Sequence, residues 1–459
     1  MESNCGGYTG FWVRDPSFYK TLIVLALPII LQNALTYGVA LADNLMVGRL
    51  GENAISGLSM AILPFTVLQI MLFGVESTVL ILSAQYWGRH DCERIKDVVS
   101  IAMRLSLVGS VAAALAAIAF PELMLSALTT DHGVAAEGAV YLRAVAMSYP
   151  LFCISQILVI SMRSVEIVKV GLANSITAFC VNIFLNWVLI FGNLGAPALG
   201  VVGAAYATCI SRLAELGVVL FFVLKVDTSL KLRLRDFSRW NRSIFDDLVR
   251  YGTPLMLGQI VWSINNIGQN SIIGRLPASA IAAASISGMF DRLLWMSTWG
   301  VAAATGIMVG KAIGSGEFEK VKQYARTMQA VFLGIGLLSG LIVFSGRGVF
   351  LSFYPNLTME TREVTNQFML VLSIVVIGRC YQAPSLFGLV KAGGDTAFVF
   401  KNDTFWVFCW VLPASLLALQ LGAPAWSVFL LLLSDQITKC FVALWKINSF
   451  NWMRNLTRD

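Results

Sequence analysis

Residues 25–58 read LALPIILQNALTYGVALADNLMVGRLGENAISGL. The apolar run from about Thr21 to Val47 is long enough to cross a bilayer, which takes roughly 20 residues. Pro28 interrupts it near the start, where a missing backbone donor bends a helix. Asp43 sits inside it near the end, and Gly48-Arg49-Leu50-Gly51 closes it as a glycine-bracketed turn. A carboxylate at membrane depth costs about 2.5–3.5 kcal/mol on insertion scales. Asp43 is therefore the first functional candidate.

The rest of the 459 residues is built in the same way: 57% are hydrophobic and 13% are charged, against about 25% charged in soluble domains. Apolar segments recur at about 20–47, 53–86, 96–119, 134–161, 166–192, 200–224, 247–274, 278–311, 321–345, 363–390, 397–420 and 425–447, with Arg143 breaking the fourth and Arg379 the tenth. With residues 1–19 inside, alternation puts 24 Lys and Arg on the inner side, Arg163 and Lys439 among them. Only Arg49, Arg275, Arg347 and Arg362 fall outside. This asymmetry predicts cytoplasmic termini and a multi-pass protein of the cell membrane. It also accounts for the net charge of +7 without nucleic acid. No cleaved signal peptide is expected, since residues 1–17 lack a charged region followed by a short apolar one. The eight cysteines are scattered without a C-x-x-C pair, which points to neither zinc nor disulfides. His90 and His132 fall in predicted loops, so no histidine relay crosses the membrane.

The sequence repeats itself at an offset of 226. Pro28 falls on Pro254, DNLMVGRLGENAISGLS (43–59) on QNSIIGRLPASAIAAAS (269–285), and residues 88–96 on 314–322. LGAPA at 194–198 recurs at 421–425. The expected fold is an all-α integral membrane protein of twelve transmembrane helices. They form two six-helix bundles, 20–224 and 251–447, joined by a basic linker at 225–250 and ending in a tail at 448–459. An even number of spans per half gives both the same orientation, related by a pseudo-twofold axis along the membrane normal, the plan of alternating-access transporters. The linker is basic and partly amphipathic, suited to lie against anionic headgroups.

Several motifs in this order carry a family resemblance over about 15–450. They are Leu27-Pro28, Asp43 followed by Met46-Val47-Gly48-Arg49-Leu50-Gly51, and Ala84-Gln85-Tyr86-Trp87-Gly88. Leu199-Gly200-Val201-Val202-Gly203-Ala204-Ala205 and Lys391-Ala392-Gly393-Gly394-Asp395-Thr396 complete the set. The chain resembles the multidrug and toxic compound extrusion (MATE) family. That resemblance implies a twelve-helix efflux transporter in which the span-one aspartate faces polar residues of span five. Some relatives place an acid where this chain has Asn186. Sodium-coupled relatives of the drug-exporting branch carry acids in spans seven and ten. Span seven here lacks such an acid and span ten has only Glu363 at its outer edge, which favours protons over Na+.

Asp43 lies about five residues before the outer end of its span, roughly 8 Å below it. Asn182 and Asn186 are four apart on span five and share one helix face at a similar depth. The three are the predicted ion-coupling cluster, with Glu76 of span two as a second proton site or the partner of Arg104 or another cation. Burial disfavours the charged form of a carboxylate, so a proton taken up from outside would displace a bound organic cation at Asp43. Pro28 is the helix-bending residue. A Na+ at Asp43 and the asparagines is the alternative. Tyr37, Gln32, Gln259, Trp262, Asn266, Met289, Asp291 and Arg292 are substrate-cavity candidates; the last two are adjacent and expected to neutralise neighbours locally by structural pairing. Arg379 with Gln382, and Asn265, Gln269 and Asn270, are further candidates, with hydrogen bonds between helices the equal alternative.

The function read from these features is a proton-driven antiporter of organic cations and drugs, monomeric in the bilayer and without a cofactor. Two rivals remain. A flippase for a lipid-linked precursor would need several basic residues at membrane depth, where this chain has chiefly Arg104, Arg143, Arg292 and Arg379. An intramembrane enzyme would need a motif such as H-E-x-x-H or G-x-S-x-G, and none is present.

Overall fold

The computed structural model describes residues 12–458, so residues 1–11 and 459 of the predicted terminal segments lie outside the described residues. The described chain is helical, with no strand. Its α-helices are α1 (Pro16–Gly48), α2 (Glu52–Gly88), α3 (Cys92–Ala119), α4 (Pro121–Ser126), α5 (His132–Val145), α6 (Ser148–Ser164), α7 (Lys169–Phe191) and α8 (Val201–Phe221). There follow α9 (Arg242–Ile273), α10 (Ala278–Gly314), α11 (Phe318–Ser352), α12 (Met359–Ala383), α13 (Thr396–Phe405), α14 (Leu412–Gln420), α15 (Ala425–Leu432) and α16 (Asp435–Ser449). Local chemistry sets several starts. Pro16 opens α1 behind Asp15, whose carboxylate accepts from Ser17 N at 2.8 Å. Asp91, Asp131 and Thr358 cap α3, α5 and α12 in the same manner.

Among the described residues, ten helical segments are long and apolar enough to span a bilayer, and α5 with α6 make an eleventh if they are one span bent by 53°. The expected seventh span lies in α9. Its 32 residues are long enough, but Gln259, Asn265, Asn266, Gln269 and Asn270 leave it too polar to meet that test. The fourth span breaks between Val145 and Ser148, not at Arg143, which reaches out to Glu122 at 3.0 Å. Arg379 sits in unbroken helix, and the tenth span distorts only afterwards, in a π-helical segment at Pro384–Val390.

The chain divides into two compact units. The N-terminal unit is Leu27–Met256; the C-terminal unit takes the residues up to Ala26 and those from Leu257 onward. The division falls just before Pro28 in α1 and just after Pro254 in α9. In the N-terminal unit α2 packs on α3, α5 and α6, and α7 pairs with α8. In the C-terminal unit α12 packs against α10, α11 and α16, with Phe368 and Phe429 stacked 4.1 Å apart in its core.

The repeat is visible in the backbone. After α2, Asp91 N donates to Tyr86 O at 3.0 Å with His90 at φ +60°; after α10, Glu317 N donates to Ala312 O at 3.1 Å with Gly316 at φ +77°. Both are six-to-one C-terminal caps that need a left-handed residue. His90 adopts it without being glycine. The two LGAPA copies match at their glycines, Gly195 at φ +81° and Gly422 at φ +70°, but not at the leucines before them, Leu194 at φ +58° and Leu421 at φ −80°.

The basic linker is ordered on α3. Ser100 Oγ lies 3.0 and 2.8 Å from the carbonyls of Phe237 and Arg239, and Arg104 donates to Phe237 O at 3.3 Å. Arg239 bridges Glu93 at 2.7 Å and Asp236 at 3.2 Å, while Leu230 and Leu232 are buried. Beyond α16 the chain turns back onto the 391–395 loop. Trp452 is fully buried, Arg454 N donates to Gly393 O at 3.1 Å, and Lys446 pairs with Asp395 at 2.7 Å.

Candidate functional site

The first candidate site forms where α1 meets α7. Gly38 permits the approach: a Cβ there would stand 2.9 Å from Cε2 of Phe179. Further along both helices, Asn186 Nδ2 donates to Asp43 Oδ1 at 2.5 Å and to Asn182 Oδ1 at 3.0 Å. Both asparagines are fully buried. Asn182 also acts on the Asp43 carboxylate, and Asn186 Oδ1 is left as an unused acceptor. Such groups inside a protein call for a proton, an ion or water.

One charged neighbour was not among the sequence candidates. Arg212 of α8 acts electrostatically on Asp43, and Asp43 in turn acts on the buried, neutral hydroxyl of Tyr141 of α5. Arg212 is held by both oxygens of Glu215, at 2.8 and 2.9 Å, and lies 4.6 Å over the ring of Phe152. An arginine and a glutamate three apart in an otherwise apolar helix are the sequence signal for Arg212 and Glu215.

Glu76 belongs to a different cluster. A cation whose charge it meets is Arg163, at the end of α6, while Arg104 donates to the linker. Arg163 also donates to Gln32 Oε1 at 2.7 Å, one turn after Pro28. Gly171 leaves room for that amide, since a Cβ there would lie 2.6 Å from Oε1. A cavity of about 620 Å³ opens at residues 50–54 and 199–202 with Glu137, and Asp43 is not among its lining residues.

In the C-terminal unit the charge neighbour of Asp291 comes from another helix. Asp291 pairs with Arg379 of α12, and Arg292 is exposed. Consecutive helical residues point in different directions, so neighbours in sequence are not neighbours in space. Arg379 is 1% exposed and lies 4.6 Å over Trp295. The other cavity candidates are dispersed. Tyr37 and Gln259 are half-buried, Trp262 is exposed, Asn266 donates back to Trp262 O, and Met289 Sδ accepts from Tyr354 Oη at 3.5 Å. Asn265 is buried, Asn270 exposed, and Gln382 donates to Gln436 at 2.8 Å. Gln269, the repeat counterpart of Asp43, donates to Leu432 O at 2.9 Å, where α15 ends. One expectation is corrected, that of Lys439. It is no loop charge but a buried cation of α16, 2.8 Å from Asp403 and 3.0 Å from Asp435.

The MatE family model matches residues 28–188 and 254–402. The probable multidrug resistance protein NorM of Halalkalibacterium halodurans is 26% identical over 398 residues, covering 84% of this chain and 85% of that protein. The probable multidrug resistance protein YoeA of Bacillus subtilis is 27% identical over 314 residues, 68% of each. Among solved structures, an outward-facing multidrug resistance MATE family transporter superposes with a TM-score of 0.85 at 18% identity, over 94% of this chain and 96% of that one. The Vibrio cholerae transporter VcmN gives 0.84 at 17% identity, over 94% and 97%.

Proposed function

The chain belongs to the MatE family of multidrug efflux transporters, and from that premise we propose that it exports organic cations in exchange for protons carried by Asp43. The observation that carries the choice of ion is the direction of the Asn186 amide. Its nitrogen, a donor, faces Asp43 Oδ1 at 2.5 Å. A donor there stabilises the ionised carboxylate that a departing proton leaves. A proton taken up from outside neutralises Asp43 and removes its attraction for a cationic drug. By linkage, a drug bound from inside favours proton loss to the same extent. The two six-span bundles, with α9 as the twelfth span and both termini cytoplasmic, supply the frame for alternating access.

The flippase reading is weakened by where the arginines go. Arg104 is engaged with the linker, Arg143 with Glu122 and Arg379 with Asp291. The sodium reading keeps one supporting observation, the unused Asn186 Oδ1 beside Asp43. Proteoliposomes separate them. A pH gradient should drive export of a permanently cationic dye, a sodium gradient should not, and Asp43→Asn should abolish the pH-driven component. Undiminished pH-driven export in Asp43→Asn would sink the proposal.

A further inference from the structure

The C-terminal unit holds a second buried charge cluster that the Asp43 mechanism does not use. Lys439 of α16 ion-pairs with Asp403 of α13 and with Asp435 one turn earlier on its own helix. Gln436 Nε2 reaches both oxygens of Asp435 at 3.1 and 3.2 Å, and Gln382 of α12 donates to Gln436 Oε1. The network thus crosses three consecutive predicted spans, and each span loses regular α-helix beside it. π-helical segments begin at Pro384, just after Gln382, and at Trp406, just after Asp403; α15 and α16 are interrupted at Leu433 and Ser434, just before Asp435. Interrupted helices inside membranes mark ion sites because they free backbone and polar groups to face one. Free groups are present. Gln382 Oε1, on the amide that joins the cluster and in a residue 3% exposed, has no partner, and neither has Asn402 Nδ2, beside Asp403.

The charge count is uneven. Two carboxylates face one ammonium, and the charges that act on Asp403 are Lys439 and Asp435. Other titratable groups on the packed elements are committed elsewhere. Arg379 is held by Asp291, Lys446 by Asp395, Tyr381 by Gln329, and Cys440 by Gly378 O and Gln436 O. Lys401 is exposed, Cys409 is exposed, and Lys391 is itself engaged. An unmatched negative charge buried at membrane depth is costly. A metal cation would have to displace the ammonium already seated between the carboxylates; a proton need not.

We propose that Asp403, Asp435 and Lys439 form a second proton-exchange site, with Asp403 as the group that takes and releases the proton. Asp403 is the more accessible carboxylate, its side chain 16% exposed against 5% for Asp435. Its pair with Lys439 joins two helices, while the Asp435 pair stays within α16. Protonating Asp403 moves one proton from water onto its carboxylate, leaves Lys439 with Asp435, and releases the electrostatic tie between α13 and α16. This deepens the proton-coupled reading of the chain and rests on it only for its role in transport.

The test does not use transport. The full-length protein carrying Asp43→Asn, in detergent, is titrated with pH while the infrared band of protonated carboxyl groups is followed. A pH-dependent band should persist in that background and be lost when Asp403→Asn is added. Lys439→Gln, with both aspartates kept, should move the band midpoint to higher pH. A band untouched by both changes, or one that responds to replacing choline by sodium at fixed pH, overturns the proposal. Neither outcome bears on Asp43, whose reading stands or falls on the export assay.

Discussion

Removing the carboxylate of Asp291 should strand Arg379. The guanidinium is 1% exposed and its remaining neighbour is the face of Trp295, 4.6 Å away. Breaking a buried pair by deleting one partner costs about 3–5 kcal/mol, because the surviving charge stays buried without compensation. Two features reduce that here. Asp291 keeps 20% of its side-chain exposure, and a cation over a tryptophan recovers roughly 0.5–2 kcal/mol. Asp291→Ala should therefore destabilise by about 2–3 kcal/mol. For a unit of this size, roughly 2–4 °C per kcal/mol gives a fall in apparent melting temperature of about 4–12 °C. The assay is thermal unfolding in detergent at one scan rate, since irreversible unfolding makes the midpoint rate-dependent. Arg379→Met added to Asp291→Ala should recover most of the loss by removing the stranded charge. Arg292→Ala should stay within about 0.5 kcal/mol, as an exposed change does. A loss in Arg292→Ala equal to that in Asp291→Ala would refute the cross-helix pairing.

Two further outcomes follow from close packing and from the linker. Gly203→Ala should destabilise by about 1–3 kcal/mol, because its Cβ would stand 2.5 Å from Leu189 O across the α7–α8 contact, while Gly217→Ala, where nothing lies within 4 Å, should be neutral or stabilising by up to about 1 kcal/mol. Both are read from the same melting curves. Arg239→Ala should loosen residues 227–241 by about 0.5–1 kcal/mol, since its contacts to Glu93 are partly exposed. Hydrogen exchange over that segment should accelerate, and high salt should produce the same change in the unaltered protein.

The Asp43 cluster was legible because its geometry is short-range. A four-residue spacing places Asn182 and Asn186 on one helix face, and the apolar run fixes the depth of Asp43, so two local facts suffice to bring the three together. What sequence could not assign is pairing between distant helices. Asp291 has Arg292 beside it in the chain, and nothing local reveals that Arg379, 88 residues away, is the partner. Lys439 was misplaced for a related reason. The positive-inside count treats every cation near a span end as a loop charge, whereas Asp435, four residues before Lys439, was the sign of a cation held within a helix. The polarity of α9 comes from its amides, of which Gln269 hydrogen-bonds to another helix, at Leu432 O, and they lower the hydropathy by which a span is recognised.

The repeat identifies the position where the halves diverge, and side-chain chemistry explains why the divergence is needed. Gln269 donates to the carbonyl of Leu432 at the interruption of the last span. That task requires a donor, which an ionised carboxylate is not. Asp43 accepts from Asn186. A glutamine in its place would fill the same contact but bear no exchangeable charge. The two positions share one ancestral register and cannot exchange residues without losing either a satisfied backbone or a titratable group. An Asp43→Gln chain would consequently resemble its own C-terminal half: folded around α1 and α7, and uncoupled from protons at that site.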